Sequence, residues 1–214
     1  VKIDAKLIAR TSLDLLKDVG LEGLTMRAVA KELDVKAPAL YWHVKGKQEL
    51  LDEMAEVMFA EAVDGLESPR RDEPWEDWLL ATTRRLRRVM LHYRDGARVF
   101  AGTAIKHPDL FRTTELTLRT LVDAGFTVQS AARGFPILLH YTVGFTIEEQ
   151  ARQGHAYADH SPYEQGMPPP DLDVSRYPLS AELTHLWDDD QDEAFDDGAR
   201  VIIAGLKTRL ERSL

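Results

Sequence analysis

The chain contains no cysteine. Disulfide staples and a thiol nucleophile are therefore excluded, and a reducing, cytoplasmic setting is the expectation. No apolar run approaches the roughly 20 residues that span a bilayer, so no membrane partner is expected. The opening VKIDAKLIARTS is a mixed amphipathic start, unlike the profile of a signal peptide. Sustained strand alternation and internal repeats are missing too, which leaves an all-α chain. The histidines are not ordered by a His-Glu-x-x-His or comparable motif. His92, His140, Glu148, His155 and His160 are the only residues from which a metal or acid–base cluster would be drawn. His140 and Glu148 stand eight apart on one predicted helix, and a polar pair facing a ligand pocket explains them more simply. No enzymatic activity is expected, with no catalytic residue, no metal site and no cofactor.

What is present begins with charge. The 214 residues suffice for one large or two modest domains with a sizeable core. The net charge is −9, which at first argues against a nucleic-acid partner. Its distribution softens the objection: residues 1–47 hold nine Lys and Arg against six Asp and Glu. A positive N-terminal end on an acidic body fits a protein that presents that end to DNA.

The stretch LTMRAVAKELDVKAPALYWHVKGK, residues 24–47, reads as two short helices around a tight turn. Thr25 is a good N-cap for the first, predicted over Met26 to Leu33. Asp34-Val35-Lys36 breaks it. Pro38 then opens a second helix, where its missing N–H costs nothing, and that helix carries Leu40, Tyr41, Trp42 and His43. This spacing is that of a helix-turn-helix, whose second helix enters the DNA major groove. Small Ala37, Pro38 and Ala39 allow close approach to base edges. Arg27 has the fork that reads guanine. Lys36, Lys47, Tyr41, Trp42, His43 and Thr25 suit phosphate contacts, which fix register without reading sequence. A helix over Asp4 to Val19, ended by Gly20, completes a three-helix module. Its predicted core is Ile8, Leu15, Leu16, Leu24, Val29, Leu33, Leu40 and Tyr41.

Beyond it, a long amphipathic helix runs from Gly46 to about Asp64, and the polar GLESPRRDEP segment marks a boundary. Further helices are predicted over Trp75 to His92, Val99 to Gly102, Asp109 to Ala124, Val128 to Gln153, Leu179 to Leu186 and Ala194 to Leu210. On the Trp75 to His92 helix, Trp78, Leu79, Thr82, Leu86, Val89 and Met90 are read as inward. Arg84, Arg85, Arg87 and Arg88 are read as a solvated face with acidic partners elsewhere. Residues 154–178, rich in Pro, Gly, His and Asp, form a long loop. The last helix carries an apolar stripe of Phe195, Ala199, Ile202, Ile203, Leu206 and Leu210.

The run LTMRAVAKELDVKAPALYWHVKGKQELLDEMA resembles the N-terminal module of the TetR family of transcriptional repressors. LYWHVK is especially similar to the tetracycline-repressor branch, as are HYRDGARVFAGT at 92–103 and HYTVGFTIEEQ at 140–150. The resemblance implies a DNA-binding domain at 1–47, a linker helix at about 47–65, and a ligand-binding and dimerisation domain at 66–214. It implies a homodimer on a palindromic operator in double-stranded DNA, released by a small-molecule effector. In such a dimer the helices near 128–153 and 194–210 form a four-helix bundle, and the stripe on the last helix fits either that bundle or the chain's own core. The resemblance also marks a departure. The drug's magnesium ligand, a histidine, corresponds here to Phe100; two further drug-holding positions correspond to Thr82 and Leu86, and an arginine-proline pair to Ala104-Ile105. An apolar organic effector is expected instead, in a pocket of Leu86, Phe100, Phe111, His140, Phe145 and Glu148, with Thr82, Thr103 and Thr117 as polar handles. The competing reading is a helical interaction module with little specific DNA binding.

Overall fold

A computed structural model of the chain describes residues 3–153, 172–182 and 190–211. Helix α1 spans Ala5–Gly23, α2 Met26–Glu32, α3 Ala37–Leu40 and α4 Lys47–Val63. They are followed by α5 (Trp75–His92), α6 (Gly96–Phe100), α7 (Asp109–Asp123), α8 (Val128–Arg152), α9 (Pro178–Glu182) and α10 (Gln191–Glu211). The described residues contain no strand.

Local chemistry sets the ends of the first helices. Asp4 caps α1 by accepting from the Leu7 N–H at 2.8 Å. Gly20 leaves helical geometry at φ 62°, as expected for a terminating glycine, and one more turn follows it to Gly23. Thr25 caps α2, its hydroxyl accepting from the Ala28 N–H. That helix closes in a Schellman motif. The Val35 N–H reaches the Ala30 carbonyl at 2.9 Å and the Asp34 N–H reaches Lys31 at 3.1 Å. Asp34 occupies the left-handed position at φ 53°.

Two hydrophobic clusters organise the molecule. The first contains Ile8, Leu13, Leu16, Leu24, Val29, Leu40 and Val44 of the N-terminal helices. It continues without a break through Leu50, Met54 and Met58 of α4 into Met90, Tyr93, Ala97 and Val99 of the body. The second gathers Phe59, Val63, Trp78, Leu79, Leu121, Phe126, Leu138, Ala199, Ile203 and Leu206. Phe100 packs against both.

Several expectations need correction. Tyr41 is half exposed, outside the N-terminal core. The second helix of the motif is shorter than expected: α3 ends at Leu40, and Tyr41 to His43 form a turn whose His43 and Val44 N–H groups both bond the Leu40 carbonyl. The short helix after α5 begins at Gly96, not Val99, because Asp95 in a left-handed conformation turns the chain directly into it. On α5 the buried face is rotated toward Thr83 and Arg87, while Thr82, Leu86 and Val89 are only partly buried. On α7 Thr114 is exposed, and Thr117, Thr120 and Leu121 are buried. Of the α10 stripe, whose two readings both stood open, Ala199, Ile203 and Leu206 join the chain's own second cluster. Most of the 154–178 segment, and 183–186 of the predicted short helix, lie outside the described residues.

The arginine run of α5 also departs from a purely solvated face. Arg87 is 4% exposed. It forms two parallel bonds to the Glu149 carboxylate, at 2.8 and 2.7 Å, and pairs with Asp192 as well. Its guanidinium lies 5.0 Å from the Phe195 ring centroid and 5.8 Å from that of Phe145. Arg84 pairs with Asp196 of α10, and Arg85 donates to the carbonyls of Ala62 and Asp64 at the end of α4. Only Arg88 of the four is exposed. These residues tie α5 to α4, α8 and α10.

Candidate DNA interface and effector site

The sequence-selected DNA residues come from α2, α3, the turn after α3 and the start of α4. Thr25, Arg27, Lys36, Pro38, Tyr41, Trp42, His43 and Lys47 are all exposed; Ala37 and Ala39 are half-buried. Trp42 is 88% exposed, an extreme for a ring of that size. This surface is anchored by Leu40 and Val44, which are fully buried on either side of the exposed aromatics. Lys47 differs from the rest. Its ammonium donates to the Leu21 carbonyl at 2.9 Å and so bridges α4 to the end of α1.

The body meets this module at one corner. Between α5 and α6 the chain turns at Tyr93 to Gly96, and four contacts reach back to α1. The Asp95 carboxylate accepts from the Leu21 N–H at 2.8 Å. Arg98 pairs with Glu22 at 2.7 Å and with Asp95 at 3.3 Å. Arg94 donates to the Lys17 carbonyl at 3.2 Å, and its guanidinium covers Gly20, where an added Cβ would meet it at 3.0 Å. The Arg98 bond holds the Glu22 carboxyl below its usual range. The contacts to α1 were not visible in helical periodicity, because they join residues 74 to 77 apart. The hydroxyl of buried Tyr93 donates to Glu61 on α4, and burial followed by that carboxylate pushes the phenol well above its usual range.

The predicted effector residues are distributed unevenly. Thr82, Leu86, Phe100 and Thr103 are partly buried, and Thr117 is fully so. Thr82, Thr103 and Thr117 spend their hydroxyl hydrogens on the carbonyls of Trp78, Phe100 and Thr113. Phe111 is 81% exposed and faces away from the interior. His140 and Glu148 are exposed on α8, and His155 and His160 lie outside the described residues. Phe145 packs on Tyr141 and Phe195 over Arg87. Burial and the neighbouring Asp196 and Asp197 push the Tyr141 phenol up to about 12, against the opposing effect of Arg87. Leu86 of α5 and Phe100 of α6 lie, partly buried, on the apolar rim of the first cluster, as do two residues of α8 that the sequence did not mark, Val143 and Ile147. Their signal was the 143–147 spacing on α8, masked there by the more prominent His140 and Phe145.

Comparison with known proteins agrees with this geometry. Residues 8–54 match the model of bacterial regulatory proteins of the tetR family. Residues 68–210 match that of the tetracyclin repressor-like C-terminal domain. The chain is 38% identical, over 97% of its length and 92% of the relative's, to the tetracycline repressor protein class A from transposon 1721 of Escherichia coli. Among solved structures, a "possible TetR family transcriptional regulator" from Streptomyces coelicolor A3(2) superposes with a TM-score of 0.84 at 34% identity, covering 96% of this chain and 99% of that one. The Streptomyces coelicolor TetR family protein ActR in complex with actinorhodin superposes with a TM-score of 0.76 at 28% identity, covering 96% of each chain. The chain belongs to the tetR family of bacterial regulatory proteins.

Proposed function

We propose that this chain is a homodimeric repressor whose two N-terminal modules occupy successive major grooves of a palindromic operator, and that an apolar organic effector releases it. That it is a DNA-binding transcriptional regulator of the small-molecule-responsive kind follows from its family. The observation that carries the finer reading is the ring of exposed Arg27, Lys36, Tyr41, Trp42 and His43 set on a fully buried Leu40 and Val44. Exposed aromatic and cationic groups on an anchored support suit a duplex better than open water. In this reading Arg27, Ala37 and Ala39 touch bases. Thr25, Lys36, Tyr41, Trp42, His43 and Lys47 hold the backbone, and Pro38 sets the entry of the helix. The division of labour falls at 1–47 for DNA, 47–65 for the connecting helix and 66–214 for effector and dimer.

The effector site is placed between α5, α6 and α8, on Leu86, Phe100, Val143 and Ile147, with Thr82, Thr103 and Thr117 beside them. Phe100 offers no metal ligand, so a tetracycline–magnesium chelate is not the effector. The relative solved in complex with actinorhodin supports an organic small molecule as the class. His140 and Glu148, exposed on α8, stay in the reading only as positions that match the family's pocket, while Phe111 has no part in it. Release is a population shift, and it cannot exceed the effector's differential affinity for the free and DNA-bound arrangements.

The test is calorimetric and electrophoretic. Tetracycline with magnesium is expected to leave the operator complex intact and to show no micromolar binding; such binding would contradict the effector class. Lys36→Ala is expected to weaken all duplexes and lower the salt slope by about one, whereas Arg27→Ala also relaxes base preference.

A further inference from the structure

We infer that Gln150 is the positioning residue through which α8, and hence the effector site, governs the DNA module. This rests on the effector-responsive reading above. Gln150 is 4% exposed, and its amide is used up entirely on backbone groups of a different part of the fold. The Nε2 hydrogens go to the carbonyls of Tyr93 at 2.8 Å and Met90 at 3.1 Å, and Oε1 accepts from the Ala97 N–H at 3.0 Å. Helix ends leave such carbonyls and N–H groups without intrahelical partners. One side chain of α8 therefore caps both the end of α5 and the start of α6.

The corner it holds has no slack. An added Cβ on Gly96 would lie 2.2 Å from the Met90 carbonyl oxygen, one of the two that Gln150 binds. Asp95, between those capped groups, is 2% exposed and sits in the left-handed region at φ 58°. Its carboxylate is the group that binds the Leu21 N–H of α1. The connection thus runs from the Gln150 amide through the Met90–Ala97 turn to the Asp95 carboxylate and the Leu21 amide.

The other end of the connection is the proposed effector site. Val143, Ile147 and Gln150 are spaced i, i+4 and i+7, so they share one face of α8. A molecule that pushes on Val143 and Ile147 moves the same face that carries the amide. Spatial intermediacy alone does not establish coupling, so the test reads the far end directly.

Amide hydrogen exchange of the full-length protein is measured for wild type, Gln150→Met, Asp95→Ala and the double variant. Methionine keeps the length and bulk of Gln150 and removes its three bonds. The account expects the Leu21 amide to exchange about tenfold or more faster in Gln150→Met while the Ile8 and Leu13 amides of the same module stay protected. The double variant is expected to exchange at Leu21 no faster than Asp95→Ala alone, because the two act in series. Unchanged Leu21 exchange in Gln150→Met overturns the proposal, and so does a double variant whose effects multiply. A uniform loss of protection across Ile8, Leu13 and Leu21 also overturns it, since that is what a merely structural role gives. Should Gln150→Met not fold, Gln150→Glu is measured in its place. It retains the acceptor for Ala97 and loses the two donors, and the same outcomes decide. Failure of the effector reading is seen separately, as a specific wild-type operator complex that no apolar organic molecule releases.

Discussion

The carboxylate of Asp95 accepts a hydrogen bond from the Leu21 backbone N–H at 2.8 Å, joining residues 74 apart in the chain. Leu21 follows the glycine that interrupts α1, so its N–H is an orphan of a helix end. Asp95→Ala removes that acceptor and leaves alanine in a left-handed conformation. The expected loss is about 1–3 kcal/mol of unfolding free energy for this part-buried bond. Urea denaturation measures it. Asp95→Asn, which keeps an acceptor oxygen, is expected to lose less.

The Arg87–Glu149 pair lies almost wholly out of water, at 5% and 4% side-chain exposure. Burying ions is costly, and the pair stands because each carboxylate oxygen meets a guanidinium N–H. Arg87→Leu leaves the buried Glu149 carboxylate without its guanidinium partner. The expected cost is about 3–5 kcal/mol, read from the thermal or urea transition. Replacing both residues, Arg87→Leu with Glu149→Leu, is expected to recover much of it. Equal losses in the single and double variants would contradict this.

Glu53 on α4 supplies a pH prediction. Burial, then the neighbouring Glu56 and Glu49, raise its carboxyl above the usual value. The folded state therefore holds this proton more tightly than the unfolded chain does. Deprotonation costs stability as pH rises from the unfolded value through the folded one. Glu53→Gln is expected to raise the melting temperature at pH 7, with the gain fading below about pH 4, the ordinary glutamate range. Asp196 runs the other way. Its bond to Arg84 lowers its carboxyl, so its contribution is present above the usual aspartate range and lost as pH falls through the folded value.

Asp34 is a conformational test of the turn between α2 and α3. At φ 53° an L-residue with a Cβ is strained, and aspartate tolerates it better than most. Asp34→Ala is expected to cost about 1 kcal/mol, while Asp34→Gly is tolerated. Thermal melts of both variants decide, and equal melting temperatures would remove the strain argument.

How much of this was legible beforehand follows from the range of each interaction. Thr25, Pro38 and Gly20 act within one helical turn, and the ends they mark were found at or near their predicted places. Leu13 against Leu15, and Thr83 and Arg87 against Thr82 and Leu86, were misjudged because a helix face is fixed by what packs on it. On α5 the deciding partner is Glu149, 62 residues away from Arg87. The proposed DNA-facing set rests on the local pattern and the family resemblance. In the proposed effector wall, Val143 and Ile147 join Phe100 against the first cluster only through tertiary packing, whereas His140 and Glu148 were marked by the family resemblance. Gln150 carried no motif that marks it as a cap for two distant helix ends.

The most direct test of the regulator is fluorescence anisotropy of the purified protein on the duplex flanking its own gene, against a scrambled duplex of the same length and composition. At near-physiological salt the account predicts a preference of about 10³-fold or more, with affinity falling as salt rises. Equal and weak binding to both duplexes, repeated when fragments from the whole genome are offered for selection, would contradict specific regulation and leave a helical interaction module.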